Sequence, residues 1–277
     1  MKAWLQIVLL ILGFSAPAQE FLPYRRLAFA AAAIPDRQLW FKGETLWGTE
    51  GATVSNWVSS AMQSGWYATQ TISANWPTLT NTFNGAAGVK AVWCDGTARI
   101  LSVTAPGAKA LLQNAESATF VAVAHQWSSG TTKILVFFSN GISDNATRDA
   151  FGFDTSERGY MASASMDGDS VTGLSGSAEL STNAAFCLMA DFVHTNTVEQ
   201  TGSSLTYYTN GVLYVTGAGS TPTNTSATAS QVIYLLRGNA SSQRFYGALA
   251  EVQVFVPKLT EAQRTAVWAE LKPKYNL

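Results

Sequence analysis

Phe245-Tyr-Gly-Ala-Leu-Ala-Glu-Val-Gln-Val-Phe-Val-Pro-Lys-Leu-Thr-Glu-Ala-Gln-Arg-Thr-Ala-Val-Trp-Ala-Glu-Leu-Lys-Pro-Lys-Tyr275 reads as one strand, one turn and one short helix. Leu249 to Val256 alternates with period two. Ala250, Val252, Val254 and Val256 fall on one face, and Leu249, Glu251, Gln253 and Phe255 on the other. Pro257 removes a ladder donor and ends the strand. Thr260 followed by Gln263 is a capping box, so a helix begins there. Arg264, Val267, Trp268 and Leu271 give that helix one contact stripe, and Pro273 is expected to close it. A strand and a short terminal helix after a long β-rich chain predict a sandwich with one helix as a lid.

The chain upstream supports this. Leu39-Trp40-Phe41 is a first strand, and Val89 to Cys94 runs into an Asp95-Gly96 turn. In Thr119 to Gln126, Phe120, Ala122 and Ala124 alternate with Val121, Val123 and His125. Trp127-Ser128-Ser129-Gly130 reads as a hairpin turn, with Lys133 to Phe138 returning beside the preceding strand. Phe186, Leu188, Ala190 and Phe192 share one face of a core strand. Asn210-Gly211 between Leu205–Tyr208 and Val212–Val215 suits a type I′ hairpin.

Several of these segments resemble a known family. Gly247 to Phe255, Leu259 to Arg264, Leu271 and Lys274-Tyr275 look like the closing signature of laminin G-like jelly rolls, within the concanavalin A-like lectin and glucanase group. The strand into Asp95-Gly96 and the hairpin Tyr208-Thr209-Asn210-Gly211 fit the same pattern. The resemblance implies an antiparallel β-sandwich of concanavalin A-like jelly-roll type over residues 38–277, with a short C-terminal helix. It departs from the family where acidic residues are usual: Lys42 and Ser59 stand there. Relatives often bind calcium through rim loops, which makes Asp144, Asn145 and Asp149, with Asp154 in the same expected loop, the candidate Ca2+ ligands.

The 277 residues carry 17 Lys and Arg against 18 Asp and Glu, a net charge of −1, so no basic footprint for nucleic acid exists. Residues 1–18 read as a signal peptide: Lys2, an apolar run from Ala3 to Phe14, then Ala16-Pro17-Ala18. An N-terminal helix that is never removed is the alternative. Residues 19–37 form an arm before the domain. Secretion or cell-surface display, a virion surface included, is the expected location. Cys94 and Cys187 lie in apolar runs and read as buried thiols, with a disulfide as the alternative that export would permit.

Glycosidases of this fold place Glu-x-Asp-x-x-Glu on one strand, and no Glu here is followed two places later by Asp. His125 and His194 lack neighbouring acids or thiols at ligand spacing. Aromatic faces stack on sugar rings, and Trp66, Tyr67 and Trp76, set among Gly, Asn, Ser and Pro, are the expected exposed ones. Trp57 and Trp93 read as core. The expected function is non-catalytic recognition of a glycan or cell-surface ligand by rim loops. The alternatives are a self-assembling structural component using the N-terminal arm, and a glycoside hydrolase relying on Glu251.

Overall fold

A computed structural model describes residues 32–61, 65–97, 99–113, 115–127, 132–139, 147–164, 171–181, 183–193, 204–218, 230, 232–238 and 242–277. The strands are β1 (Leu39–Lys42), β2 (Asn56–Val58), β3 (Tyr67–Thr69), β4 (Thr78–Phe83), β5 (Ala86–Asp95), β6 (Leu101–Val103), β7 (Ser117–Gln126) and β8 (Lys133–Ser139). They continue with β9 (Thr147–Phe153), β10 (Gly159–Ala164), β11 (Val171–Ser175), β12 (Ala184–Val193), β13 (Ser204–Thr209), β14 (Val212–Ala218), β15 (Ile233–Leu235) and β16 (Tyr246–Phe255). A single turn of helix, α1 (Pro106–Lys109), and the terminal helix α2 (Glu261–Lys274) complete the described elements.

Two antiparallel sheets face each other. One has the order β14-β13-β12-β7-β16-β5-β4, with β1 also paired to β16; the other has the order β11-β10-β9-β8-β15-β6-β3-β2. Between them lies the main core, including Phe120, Leu188, Phe192, Leu249 and Val252 from the first sheet and Phe138, Phe151, Phe153, Met161 and Leu235 from the second. Tyr207 of β13 crosses this core and donates its hydroxyl to the Gly152 carbonyl of β9 at 2.9 Å, which satisfies the one polar atom it buries.

The first sheet is buried on both faces. Its outer face carries Val121, Val123, Cys187, Met189, Ala248, Ala250 and Phe255, and these pack against Leu259, Val267, Leu271 and Tyr275 at and around α2. Burial of Val267 and Leu271 contributes about 1.5–3 kcal/mol each, enough to hold a short helix that would not persist alone. The capping box forms as the sequence predicts: Gln263 N donates to Thr260 Oγ1 and Thr260 N donates to Gln263 Oε1.

Three expectations are corrected. β7 and β8 do not form a hairpin: β7 pairs with β12 and β16, β8 with β9 and β15, so the chain changes sheet between them. Both strands are apolar on each face, so alternation could not say which neighbour each takes. The alternation in β16 is broken by a register shift between Leu249 and Glu251 opposite β7. This puts Leu249 with Val252 and Val254 in the inter-sheet core, while Ala250 and Phe255 face α2. Pro273 lies inside the last turn of α2 instead of ending it. Only the Ala269 carbonyl loses a helical donor there, and Tyr275 N still reaches Leu271 O at 3.1 Å.

Cys94 and Cys187 are both free and buried, one in the inter-sheet core and one on the face beneath α2, so the sheet itself separates them. Burial pushes both thiols up, away from the reactive thiolate form.

Candidate functional site

A cavity of about 310 Å3 opens between the β13–β14 hairpin and the first turns of α2. Met189 of β12, Tyr208 of β13, Gly211 of the turn and Leu213 of β14 line one side, and Glu261, Arg264 and Thr265 of α2 the other. Met189 and Tyr208 are cross-strand partners, which sets thioether and phenol side by side on the outer face.

The hairpin is held in place by its turn. Asn210 and Gly211 have φ of 48° and 77°, the left-handed pair a type I′ turn needs. Asn210 also fastens the turn to β12: its N–H donates to Cys187 O at 2.8 Å, and its Oδ1 accepts from Cys187 N at 2.9 Å. Gly211 is required twice over, because a Cβ there would stand 2.6 Å from the Trp268 ring. The turn rests on Trp268, and Val212 and Leu213 beyond it stay exposed.

The opposite wall is set by a buried carboxylate. Asp191 on β12 accepts from Thr119 Oγ1 at 2.5 Å and from Arg264 Nη1 at 2.8 Å. Arg264 Nη1 also donates to Leu259 O at 2.8 Å, and its guanidinium lies 4.5 Å over the Tyr208 ring. Burial raises the Asp191 carboxyl above its ordinary value, against the Thr119 hydrogen bond and the charges of Arg264 and Lys258. Burial likewise raises the Tyr208 phenol, so it stays a neutral hydroxyl. The Thr265 hydroxyl donates to Glu261 O at 3.0 Å, so toward a ligand its oxygen acts as an acceptor. Apolar faces, a carboxylate, a guanidinium and a hydroxyl thus converge on a space large enough for one sugar-sized ring.

A second polar cluster lies at the other end of α2 and is sealed. The Glu251 carboxylate, fully buried, accepts from Trp40 Nε1 at 2.7 Å, Gln253 Nε2 at 2.5 Å, Lys274 Nζ at 2.6 Å and Tyr275 OH at 2.5 Å. Burial, then the Glu251 charge, pushes the Tyr275 phenol far up, fixing it as a donor. Glu251 is therefore a fastening between sheet and helix with no access to a substrate, which removes the residue on which the hydrolase alternative relied.

The residues singled out from sequence lie apart from the cavity. Trp66 is only 7% exposed, and its ring packs against Gly107, which corrects the expectation of an exposed indole. The reason is local: Gly65 turns the chain at φ 90° so that Trp66 enters the core beside Trp57 and Ala68. Tyr67 is 43% exposed, opposite Val58 on the outer face of the second sheet. Trp76 is half-buried and donates Nε1 to Gln70 O at 2.7 Å, closing its own loop. Trp57 is fully buried as expected, and Trp93 is half-buried. Trp47 is 90% exposed and was not singled out; its one signal is its position between buried Leu46 and the Gly48 to Gly51 turn.

Asp144 and Asn145 lie outside the described residues. Asp149 is not in a loop with them: it sits in β9, fully buried, paired across the strands with Phe138 and Ser163. It shares a face with Phe151, two residues on, so a rim-loop calcium site gains no ligand from it. Asp154 accepts from Ser156 N, Arg158 N and Arg158 Nε, the ordinary work of a turn aspartate. Among the described residues no group of three His, Cys, Asp or Glu side chains is placed to hold a metal. His125 stacks 4.7 Å from Trp127, and His194 is outside the described residues.

No family model and no curated protein sequence matches the chain. Solved structures share its fold. A Trypanosoma rangeli sialidase in complex with sialic acid superposes at TM-score 0.57 and 13% identity, covering 87% of this chain and 34% of that one. The receptor-binding domain of botulinum neurotoxin type G gives 0.52 and 9%, covering 86% and 52%. The Ruminococcus gnavus IT-sialidase CBM40 bound to α2,3 sialyllactose gives 0.47 and 14%, covering 83% and 98%. This chain therefore spans about a third of the sialidase and half of the toxin domain. The first two likenesses show the fold, a β-sandwich.

Proposed function

We propose that this chain is a non-catalytic glycan-recognition domain of laminin G-like type, displayed outside the cell, that meets its sugar in the cavity between the β13–β14 hairpin and α2. The observation that carries the reading is the composition of that cavity. Leu213 and the Tyr208 ring supply surface for the apolar face of a pyranose, over a floor at the buried Met189. Glu261, Arg264 and Thr265 supply acceptors and donors for its hydroxyls. A cavity of this size lies at the lower end of the range of small-molecule sites, matching one ring with its neighbours in solvent.

The placement of the described carboxylates supports binding without turnover. A glycosidase needs two acids flanking the scissile bond. Asp191 is committed to Thr119 and Arg264 and Glu251 is sealed, so among the described residues Glu261 is the one open carboxylate lining the cavity. The extracellular placement rests on the N-terminal pattern of residues 1–18. The experiment is a glycan array with the full chain, sialosides included because the Trypanosoma rangeli sialidase of the same fold was solved with sialic acid. Retention of a sugar by the wild type, weakened about tenfold or more in Tyr208→Ala, is the expected result. An empty array, or binding indifferent to Tyr208, contradicts the reading.

A further inference from the structure

The cavity's charges are already spoken for, and this limits what kind of sugar it can hold. Arg264 is its one cationic side chain among the described residues. One Nη of that guanidinium is spent on Asp191 and Leu259 O, and Asp191 itself is only 3% exposed and held by Thr119. A ligand carboxylate cannot displace Asp191, because a buried aspartate pulled from its partner has nowhere to go. The remaining N–H groups of Arg264 can donate, but they do so from an ion pair whose net charge is near zero.

The other cations of α2 are also occupied elsewhere. Lys274 pairs with Glu251 and Glu44, and Lys272 lies over the Trp268 ring and is not among the residues that line the cavity. Lys258 acts on Asp191. Against them stands Glu261, exposed and facing the same space. The helix N-terminus contributes only about half a positive charge, and Glu261 in its first turn already sits on it. An acidic group entering the cavity meets the Glu261 charge, while Arg264, the one cation lining it among the described residues, is already paired with Asp191.

The hydrogen-bonding capacity has the opposite character. The Glu261 carboxylate and the Thr265 oxygen accept, and the guanidinium donates. Hydroxyl groups that both donate and accept satisfy this set, whereas a carboxylate or sulfate only accepts. We infer that the cavity selects an uncharged, hydroxyl-rich sugar ring and rejects acidic sugars, with Glu261 as the residue that sets the discrimination. The inference rests on the glycan reading above and sharpens it.

The test is an array in which each neutral oligosaccharide stands beside its sialylated, uronic or sulfated counterpart, probed with the full chain as wild type, Glu261→Gln and Leu213→Trp. Leu213 is 55% exposed, so a larger side chain fills the cavity mouth without disturbing the core. The expected result is neutral hits, with acidic counterparts about tenfold weaker or more. Glu261→Gln narrows that gap to about threefold or less, and Leu213→Trp weakens all hits about tenfold. Predominantly acidic hits, or a neutral preference unchanged in Glu261→Gln, overturn the inference while leaving glycan binding standing. Hits that survive Leu213→Trp locate binding elsewhere and also overturn it. An empty array removes the glycan reading itself, and this inference with it.

Discussion

Two buried carboxylates on the same sheet face do the same job with opposite outcomes. Glu251 and Asp191 each reach up to a cation on α2, Lys274 near its end and Arg264 near its start. Around Glu251 the space is closed by Trp40, Gln253 and Tyr275, and the cluster serves only to fasten the helix. Around Asp191 the β13–β14 hairpin stands beside the helix, and the guanidinium is left with one face on Tyr208 and one edge on a cavity. The same sheet-to-helix clasp is sealed at one end and left open at the other, and the proposed sugar site is at the open end.

The largest expected effect is at the sealed end. Glu251→Ala leaves three donors and a lysine facing a buried void and should cost about 3–5 kcal/mol in denaturant unfolding. Asp191→Ala removes two bonds, and Arg264 can turn toward the cavity, so about 2 kcal/mol is expected. Equal losses from the two variants would break the contrast. Next comes Tyr208→Ala, which should cost about tenfold in sugar affinity and about 1 kcal/mol or less in stability, by titration and melting of one preparation.

The contrast is sharpened by pH. Because burial holds the folded Asp191 carboxyl above its unfolded value, the folded chain takes up that proton more readily than the unfolded chain. Ionisation of Asp191 in the folded chain therefore costs stability relative to its protonated form at neutral pH, and that cost is relieved as pH falls through the raised pKa toward 3.8. Stability of the wild type relative to Asp191→Asn should rise between pH 7 and pH 4; a flat or falling difference contradicts the assignment. The smallest effect belongs to the outer ion pair of Arg37 with Glu270, where Glu270 is 37% exposed: Glu270→Gln should change stability by about 1 kcal/mol or less, read by the same unfolding curve.

The architecture was readable in residues because period-two alternation, the Asn210-Gly211 turn and the Thr260–Gln263 box are local signals. Some local signals misled, in the strands because a longer-range contact decided the matter. The register shift in β16 exists only against β7. The change of sheet between β7 and β8 depends on partners dozens of residues away, β12 and β16 for β7 and β15 for β8. Trp66 sits in a polar neighbourhood of sequence but turns inward at Gly65. The cavity was not readable as a site, since Met189, Tyr208 and Arg264 meet only once β12, the hairpin and α2 have assembled. Its traces were visible singly, in the Arg264 stripe and in the Tyr208 hairpin, without the spacing that would join them.

In the proposed reading, sugar enters at the open end of the clasp. The decisive experiment is a crystal structure of the full chain with its tightest neutral array hit. The expected result is a pyranose ring against Tyr208 and Leu213, with hydroxyls toward Glu261 and Arg264. A sugar bound instead at Tyr67, Trp76 or Trp47, with this cavity empty, would contradict it.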